Sequence, residues 1–297
     1  MPELRPTIIR ALRGLGLLRG ADLCRFGVRR LTASRNNRTF LRDHPGFCAP
    51  PPQLAFDALN HCDWSKYWES GLRHARTFAR IILQHTDAMS LDVLEWGCGP
   101  GRLLRHMAGL LAARDVRLTG SDYNPETIAW CRQNLAGIDF VQNDLMPPLP
   151  LSDKRFDVVF NFSVLTHLSE AAQVAWIAEL RRVLKPGGLL ICTTHGDHYR
   201  RLLASATERE QYERGEVVTQ GRYAEGKKWY FAVHPPQFVR GSLLREFDDP
   251  RRVPTAPEDR VFQDVWIAFK PDAADTNADR AQSHAVDTLV SSPSGST

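Results

Sequence analysis

Leu91-Asp92-Val93-Leu94-Glu95-Trp96-Gly97-Cys98-Gly99-Pro100-Gly101-Arg102-Leu103-Leu104 carries the deciding pattern of this chain. Val93 and Leu94 lead to an acid, three glycines follow at alternate positions, and Leu103, Leu104 and Met107 then share one helical face. The spacing predicts strand, tight turn and helix. Glycine suits such a corner for two reasons. A turn can demand positive φ, and a ligand approaches bare backbone only where no Cβ stands between them. The free N–H groups opening the helix would face the same ligand.

Spacing discriminates between ligands. A dinucleotide corner wants G-x-G-x-x-G, with pyrophosphate on the helix N-terminus. Here Arg102 stands three residues after Gly99, and the third glycine is Gly101. Glu95-x-Gly97-x-Gly99-x-Gly101 resembles the first motif of the class I S-adenosylmethionine (SAM) dependent methyltransferases, whose cofactor has an amino-acid end and an adenosine end but no phosphate. Leu184-Lys185-Pro186-Gly187-Gly188-Leu189 resembles a second signature of that family, a structural return into the sheet. The resemblance covers about residues 55–270. It implies an α/β fold with a doubly wound, seven-stranded, mostly parallel sheet and an antiparallel last strand.

Other strands end in polar residues. Val116–Ser121 alternates and stops at Asp122, where a doubly wound sheet sets a carboxylate beside the first strand, within reach of both ribose hydroxyls. That role serves SAM or a nicotinamide cofactor equally. Asn124-Pro125 opens the next helix. Ile138–Asn143 ends at Asp144; the resemblance implies that Asp144 accepts from the adenine amino group while the Leu145 backbone reads the ring edge. Phe156–Phe160 is apolar enough for burial on both faces. It ends at Asn161, where many family members carry an acid, and the resemblance implies a hold on the cofactor ammonium through the backbone carbonyl. Phe162–Leu168 resembles the segment passing the methionine end. A helix over 172–184 and a strand over 189–194 follow, and Phe262–Phe269 reads as the closing antiparallel strand. Upstream, Asp57–Gln84 reads as a helix broken near Gly71; the resemblance makes Tyr67 a candidate SAM contact, and Trp64 and Trp68 read as core.

With 297 residues, 43% of them hydrophobic, the chain can bury a full α/β core. Six cysteines include no C-x-x-C pair, so neither a zinc ribbon nor a disulfide framework is expected. No metal pattern is present. No run approaches the roughly 20 apolar residues of a membrane span. Arg10, Arg13 and Arg19 interrupt the N-terminal apolar residues and deny a secretory signal, so the expected location is the cytoplasm.

Residues 1–45 hold ten arginines against Glu3, Asp22 and Asp43, a surplus of seven; the whole chain is +4, which leaves the remainder at −3. Ile8, Leu12 and Leu15 share a helical face there. Such a segment suits peripheral contact with an anionic membrane or a partner protein, and equally a helix capping the domain with solvated arginines. Nucleic acid is disfavoured, because aromatics are not interleaved. Pro50-Pro51-Pro52 closes this segment as a stiff linker. The expected division is 1–52 basic helical segment and linker, 53–270 methyltransferase domain, and 271–297 disordered tail.

The insertion 195–234 is rich in charge and aromatics and is expected to form the acceptor pocket and lid. The resemblance implies transfer of the SAM methyl group, with in-line alignment and exclusion of water as the main work. His195 and His167 each follow a strand end on the active face and are candidate general bases. The layout resembles methyltransferases acting on a small molecule or glycan, which favours O-methylation, although a fold does not establish a substrate. Two other readings stand beside it, a nicotinamide-dependent oxidoreductase and a non-catalytic SAM-binding scaffold. Joint retention of Glu95, Asp122 and Asp144 speaks against the scaffold.

Overall fold

The computed structural model describes residues 18–220 and 225–272. The predicted Ile8, Leu12 and Leu15 face, Tyr223 of the insertion, and the predicted tail from residue 273 onward lie outside the described residues. The main sheet contains β1 (Ser90–Trp96), β2 (Asp115–Asp122), β3 (Ile138–Gln142), β4 (Phe156–Phe160), β5 (Leu184–Thr194), β8 (Asp248–Val253) and β9 (Asp264–Phe269). A separate two-stranded ribbon pairs β6 (Val218–Gln220) with β7 (Phe231–Val233). The order of the main sheet is β3-β2-β1-β4-β5-β9-β8, parallel from β3 to β5, with β9 antiparallel to both its neighbours. This is the expected doubly wound seven-stranded sheet.

Alternation along the strands explains how both faces are covered. Leu94, Val159, Leu190 and Trp266 point to one side, where they meet Trp176, Ile177 and Leu180 of α6 (Glu170–Val183). Val93, Val158, Ile191 and Ile267 point to the other, against Phe78 and Ile82 of α3 (Trp64–His85) and Met107 of α4 (Leu104–Leu110). Each such side chain contributes about 1.5–3 kcal/mol by leaving water. Successive residues serve opposite layers, as a pleated strand requires.

Three elements differ from the sequence expectation. The predicted break at Gly71 lies elsewhere: α2 (Pro52–Leu59) ends at Asn60 in a left-handed cap, and α3 begins after Asp63, whose carboxylate caps it by accepting from Lys66 N at 3.1 Å. Gly71 sits inside α3, where a Cβ would lie 2.4 Å from the Arg102 carbonyl oxygen, so the glycine permits close approach. The insertion is not irregular. It contains α7 (Asp197–Arg200) and α8 (Ala206–Glu213), the latter opened by a Ser205/Glu208 capping box, around Leu203, Tyr212, Val218 and Val233. Finally, β8, with the sequence Asp-Asp-Pro-Arg-Arg-Val, has no apolar alternation because it is the sheet edge, where charge and proline are tolerated.

Pro52 is the first residue of α2, so helix follows the prolines at once. The long helix α1 (Leu18–Asp43) packs on α2 and α3: Phe26 lies 5.3 Å from the Phe56 ring, and Asn37 receives Trp64 N and donates to the Cys62 carbonyl, each at 2.8 Å. The Lys185-Pro186-Gly187-Gly188 phrase is a bulge in β5. Phe156 pairs with Leu184 but Val158 with Leu189, and the Lys185 ammonium meets Asp157 at 2.7 Å and Asp92 at 3.2 Å. Among the described residues, no helix is long and apolar enough to cross a membrane.

Candidate active site

Parallel register carries the functional residues to one edge. Glu95 pairs with Gly120 and Phe160, Asp122 with Gln142, and Phe160 with Ile191, so the chain leaves β1 through β5 on the same side. The reversal of strand order between β1 and β4 opens a crevice there. A cavity of about 1130 Å³ fills it, lined by Glu95, Gly97, Gly99, Asp122, Asp144, Leu145, His167 and His195 among others. Single-ligand pockets run to roughly 1,000 Å³, so there is room for two reactants.

All three glycines of the turn have positive φ: +73° at Gly97, +50° at Gly99 and +67° at Gly101. Their surroundings separate their roles. A Cβ on Gly97 would strike Val164 Cγ2 at 2.3 Å, and one on Gly101 would strike Leu135 Cδ1 at 2.4 Å. One on Gly99 would meet nothing nearer than Ala58 at 3.8 Å, and both of these residues border the cavity. Gly99 therefore keeps space for a ligand, while Gly97 and Gly101 keep the turn packed. Gly97 N and Cys98 N donate to the Ser121 carbonyl at 2.7 and 2.9 Å, locking the turn to β2.

Buried polar atoms without partners mark where a ligand fits. Glu95 is 2% exposed and its Oε2 has no hydrogen-bond partner among the described residues. Burial lifts its carboxyl to about 8, against the pull of the nearby Arg102 guanidinium. Asn143 lines the cavity with Oδ1 unpartnered among the described residues, while its Nδ2 donates to the Asp144 carbonyl at 2.7 Å. The Asp122 carboxylate accepts Gly99 N and Asn124 N, each at 2.9 Å, and still borders the cavity. Asp144 and Leu145 stand on the rim, with the Leu145 carbonyl fixed by Trp176 Nε1 at 2.9 Å. Arg102 lines the same end; it donates to His74 Nδ1 at 3.1 Å and has no carboxylate partner among the described residues. These groups fit an amino-acid zwitterion joined to an adenosine, with Arg102 for carboxylate, Glu95 for ammonium, and Asp122 and Asn143 for the nucleoside. Sequence reasoning did not single out Arg102 and Asn143 as cavity-lining candidates. Arg102 sits beside the glycine turn and was legible there; nothing in the sequence sets Asn143 apart.

Three expected residues do not line the cavity. Tyr67 is fully buried behind the turn and donates from its hydroxyl to the Pro100 carbonyl at 2.8 Å, so it supports the turn from the side away from the ligand. Gly101 faces Leu135. Asn161 is fully buried, with both side-chain polar atoms unpartnered among the described residues, beneath the cavity floor.

The two histidines are held alike. His167 donates from Nδ1 to the Tyr230 carbonyl at 2.8 Å, and His195 from Nδ1 to the Ala232 carbonyl at 3.1 Å. Because carbonyls only accept, each ring carries its proton on Nδ1 and keeps Nε2 as an acceptor. Burial lowers both. His195, stacked 3.9 Å from Tyr199 and 4.5 Å from Phe231, falls to about 2, with His234 and His167 adding to the shift. His167 is lowered by burial, partly offset by its backbone bond.

The segment from Glu225 to Trp229 crosses over the cavity. Gly226 N donates to the His167 carbonyl at 2.8 Å, Tyr123 donates to the Gly226 carbonyl at 2.9 Å, and Ser169 N donates to the Glu225 carboxylate at 2.7 Å. Lys228 reaches Asp22 of α1 at 2.8 Å and Asp57 of α2 at 3.6 Å, above the Phe56 ring at 4.0 Å. The predicted lid and the N-terminal helices thus meet in one ionic contact. Among the described residues, no group of histidine, cysteine or acidic side chains is arranged to hold a metal ion.

Residues 93–188 match a family of methyltransferase domains. The chain is 38% identical over 128 residues to a probable S-adenosylmethionine-dependent methyltransferase of Mycolicibacterium smegmatis, covering 43% of this chain and 45% of that protein. It is 38% identical over 126 residues to a fatty-acid O-methyltransferase of the same organism, covering 40% and 44%. It is 36% identical over 124 residues to a ubiquinone biosynthesis O-methyltransferase of Cereibacter sphaeroides, covering 40% and 47%. The chain spans less than half the length of these relatives. The nicotinamide alternative is set aside by the family match, and SAM is the cofactor that this family implies. The glycine corner and the strand order agree with the class I, Rossmann-like SAM-dependent methyltransferases, and residues 93–188, about a third of the chain, are similar to the methyltransferase-domain family.

Proposed function

We propose that this protein transfers the methyl group of SAM to an oxygen of a small-molecule acceptor, with His167 as the general base. The observation that carries the proposal is the setting of His167: Nδ1–H bound to the Tyr230 carbonyl, its own carbonyl held by Gly226 N of the segment crossing the cavity, and Nε2 left as an acceptor beside that cavity. When bound, SAM supplies an activated methyl on a sulfonium, so the protein's own work is alignment, exclusion of water and removal of one proton. Arg102 and Glu95 hold the amino-acid end, Asp122 and Asn143 the nucleoside, and Gly99 leaves the space between them. The Glu225–Trp229 segment, pinned at Tyr123, His167 and Lys228, shields that space from water. His167 Nε2 then takes the acceptor proton.

The acceptor end supports an amphipathic or aromatic molecule. Phe162, Tyr199, Trp229 and Phe231 border the cavity together with Phe26 and Leu54 from the N-terminal helices. The O-methyltransferases among the relatives favour oxygen as the acceptor atom, and the aromatic lining favours an apolar small molecule over the glycan that the sequence layout left equally open. Burial pushes His195 down to about 2, which makes it a poor proton acceptor.

The test is methyl transfer from labelled SAM to a panel of hydroxy fatty acids, phenols and sugars, run with the native chain and with His167→Gln. Transfer to a hydroxyl oxygen, lost in the variant while S-adenosylhomocysteine still binds, supports the reading. Transfer only to nitrogen or sulfur acceptors overturns it.

A further inference from the structure

Helix α1 divides its surface in an unusual way. Phe26, Ala33 and Phe40 face the domain, with Ala33 and Phe40 buried. On the opposite side, Cys24, Val28, Leu31, Arg35, Arg38 and Arg42 follow one another at intervals of four, three, four, three and four, which keeps them on one stripe of an α-helix. The first half of the stripe is apolar and the second half is cationic. Val28 is 59% exposed and Leu31 is 75% exposed; neither has a packing partner that would account for an apolar side chain there. Arg35 and Arg38 have no ion pair or hydrogen bond among the described residues. Asp22 is engaged by Lys228, and Asp43 closes on Arg42 at 2.9 Å.

The geometry points to an anionic lipid surface as the partner of this stripe. The apolar half would enter the boundary between head groups and acyl chains, while the unpaired Arg35 and Arg38 meet lipid phosphates. The pattern of charge selects this partner from its competitors. A second copy of the chain, paired parallel and in register, sets arginine against arginine; paired antiparallel in register, it sets arginines on the apolar half. A nucleic-acid backbone would satisfy the arginines and leave Val28 and Leu31 in water. The basic surplus is confined to residues 1–45, which include α1, the remainder of the chain being negative, so attraction to an anionic surface also orients the molecule with α1 downward.

Leu23, 65% exposed and one residue before Cys24, lines the cavity together with Phe26, so the helix that carries the stripe also borders the cavity. The docking itself does not depend on the methyl-transfer reading, so either can fail alone.

The test is sedimentation of the full chain with vesicles of phosphatidylcholine alone and of phosphatidylcholine mixed with phosphatidylglycerol, across a range of salt. Expected is binding to the mixed vesicles, weakened by salt and absent from the neutral ones. Arg35→Gln with Arg38→Gln should weaken binding about fivefold per arginine. Val28→Ser with Leu31→Ser should weaken it at every salt concentration. None of the four residues lines the cavity, so S-adenosylhomocysteine affinity and the unfolding temperature should be unchanged, which separates lost docking from lost folding. No binding by the native chain, equal binding to neutral vesicles, or variants that bind like the native chain would overturn the inference. So would sedimentation equilibrium showing a dimer that the Val28 and Leu31 variants dissociate.

Discussion

The Nδ1–H of His167 donates to the Tyr230 carbonyl across 2.8 Å, so the residue leading into β7 fixes the tautomer of a side chain that lines the cavity. His167→Gln should lower kcat by about 10²–10⁴ with little change in S-adenosylhomocysteine affinity, and His195→Gln by less than about tenfold, because a ring held at about 2 is a poor proton acceptor. Steady-state kinetics with calorimetry on both variants decide the assignment; equal losses would remove His167 from its role. Burial places the His167 titration below its ordinary value, so kcat should be flat through neutral pH and fall only on acidification.

Two glycines of one turn should fail differently. Gly97→Ala meets positive φ, costing about 1–2 kcal/mol, and also the Val164 methyl at 2.3 Å, costing a further ~1–3 kcal/mol. Gly99→Ala carries only the first cost, yet its new methyl occupies ligand space. The expected result is a larger drop in unfolding temperature for Gly97→Ala and a larger loss of S-adenosylhomocysteine binding, per degree lost, for Gly99→Ala. Thermal scans beside titrations read both.

Glu95 gives the ligand-free protein a pH dependence of known sign. Its folded carboxyl sits at about 8, against an ordinary value of 4.5, so between those limits the native state binds more protons than the unfolded chain. This contribution to stability is therefore lost as pH rises from 4.5 to 8. Glu95→Gln should unfold at a higher temperature than the native chain at pH 8, by more than ~2 °C, while binding S-adenosylhomocysteine more weakly. If the two proteins keep the same difference at pH 5 and pH 8, the carboxyl is not the source.

The Lys228 contact with Asp22 should set the rate of ligand exit. Lys228→Ala, Asp22→Ala and the double variant form a cycle in which stopped-flow release of S-adenosylhomocysteine is the reading. Each single change should speed release, and the double change should add little to either, with a coupling of about 1 kcal/mol. Strict additivity would mean that the pair closes nothing.

Legibility followed the physics of each element. The buried strands and the glycine corner were readable because their requirements, apolar alternation and positive φ, restrict residue type strongly. β8 was invisible because an edge strand needs neither, and its Asp248-Asp249-Pro250-Arg251-Arg252 run reads as loop. The Ser205/Glu208 capping box was present in the sequence and overlooked among the charges of the insertion. Gly71 reads as a helix breaker in one dimension; only the Arg102 carbonyl, 31 positions away, shows that a glycine was needed for proximity. At the site, Asp122 and Asp144 were legible as strand-end acids. Tyr67, a candidate cofactor contact from the sequence, does not line the cavity, since spacing places a residue on a helix face but not on the near or far wall of its neighbour.

The close approach at Gly71 has a mechanical consequence. With Gly71 against the Arg102 carbonyl and the Tyr67 hydroxyl on the Pro100 carbonyl, α3 is bolted to the back of the ligand-holding turn, and α3 is in turn tied to α1 through Asn37. The turn, α3 and α1 thus form one hydrogen-bonded series. Amide exchange in α1 should therefore slow when the distant turn is occupied, although no atom of the ligand need touch Asn37.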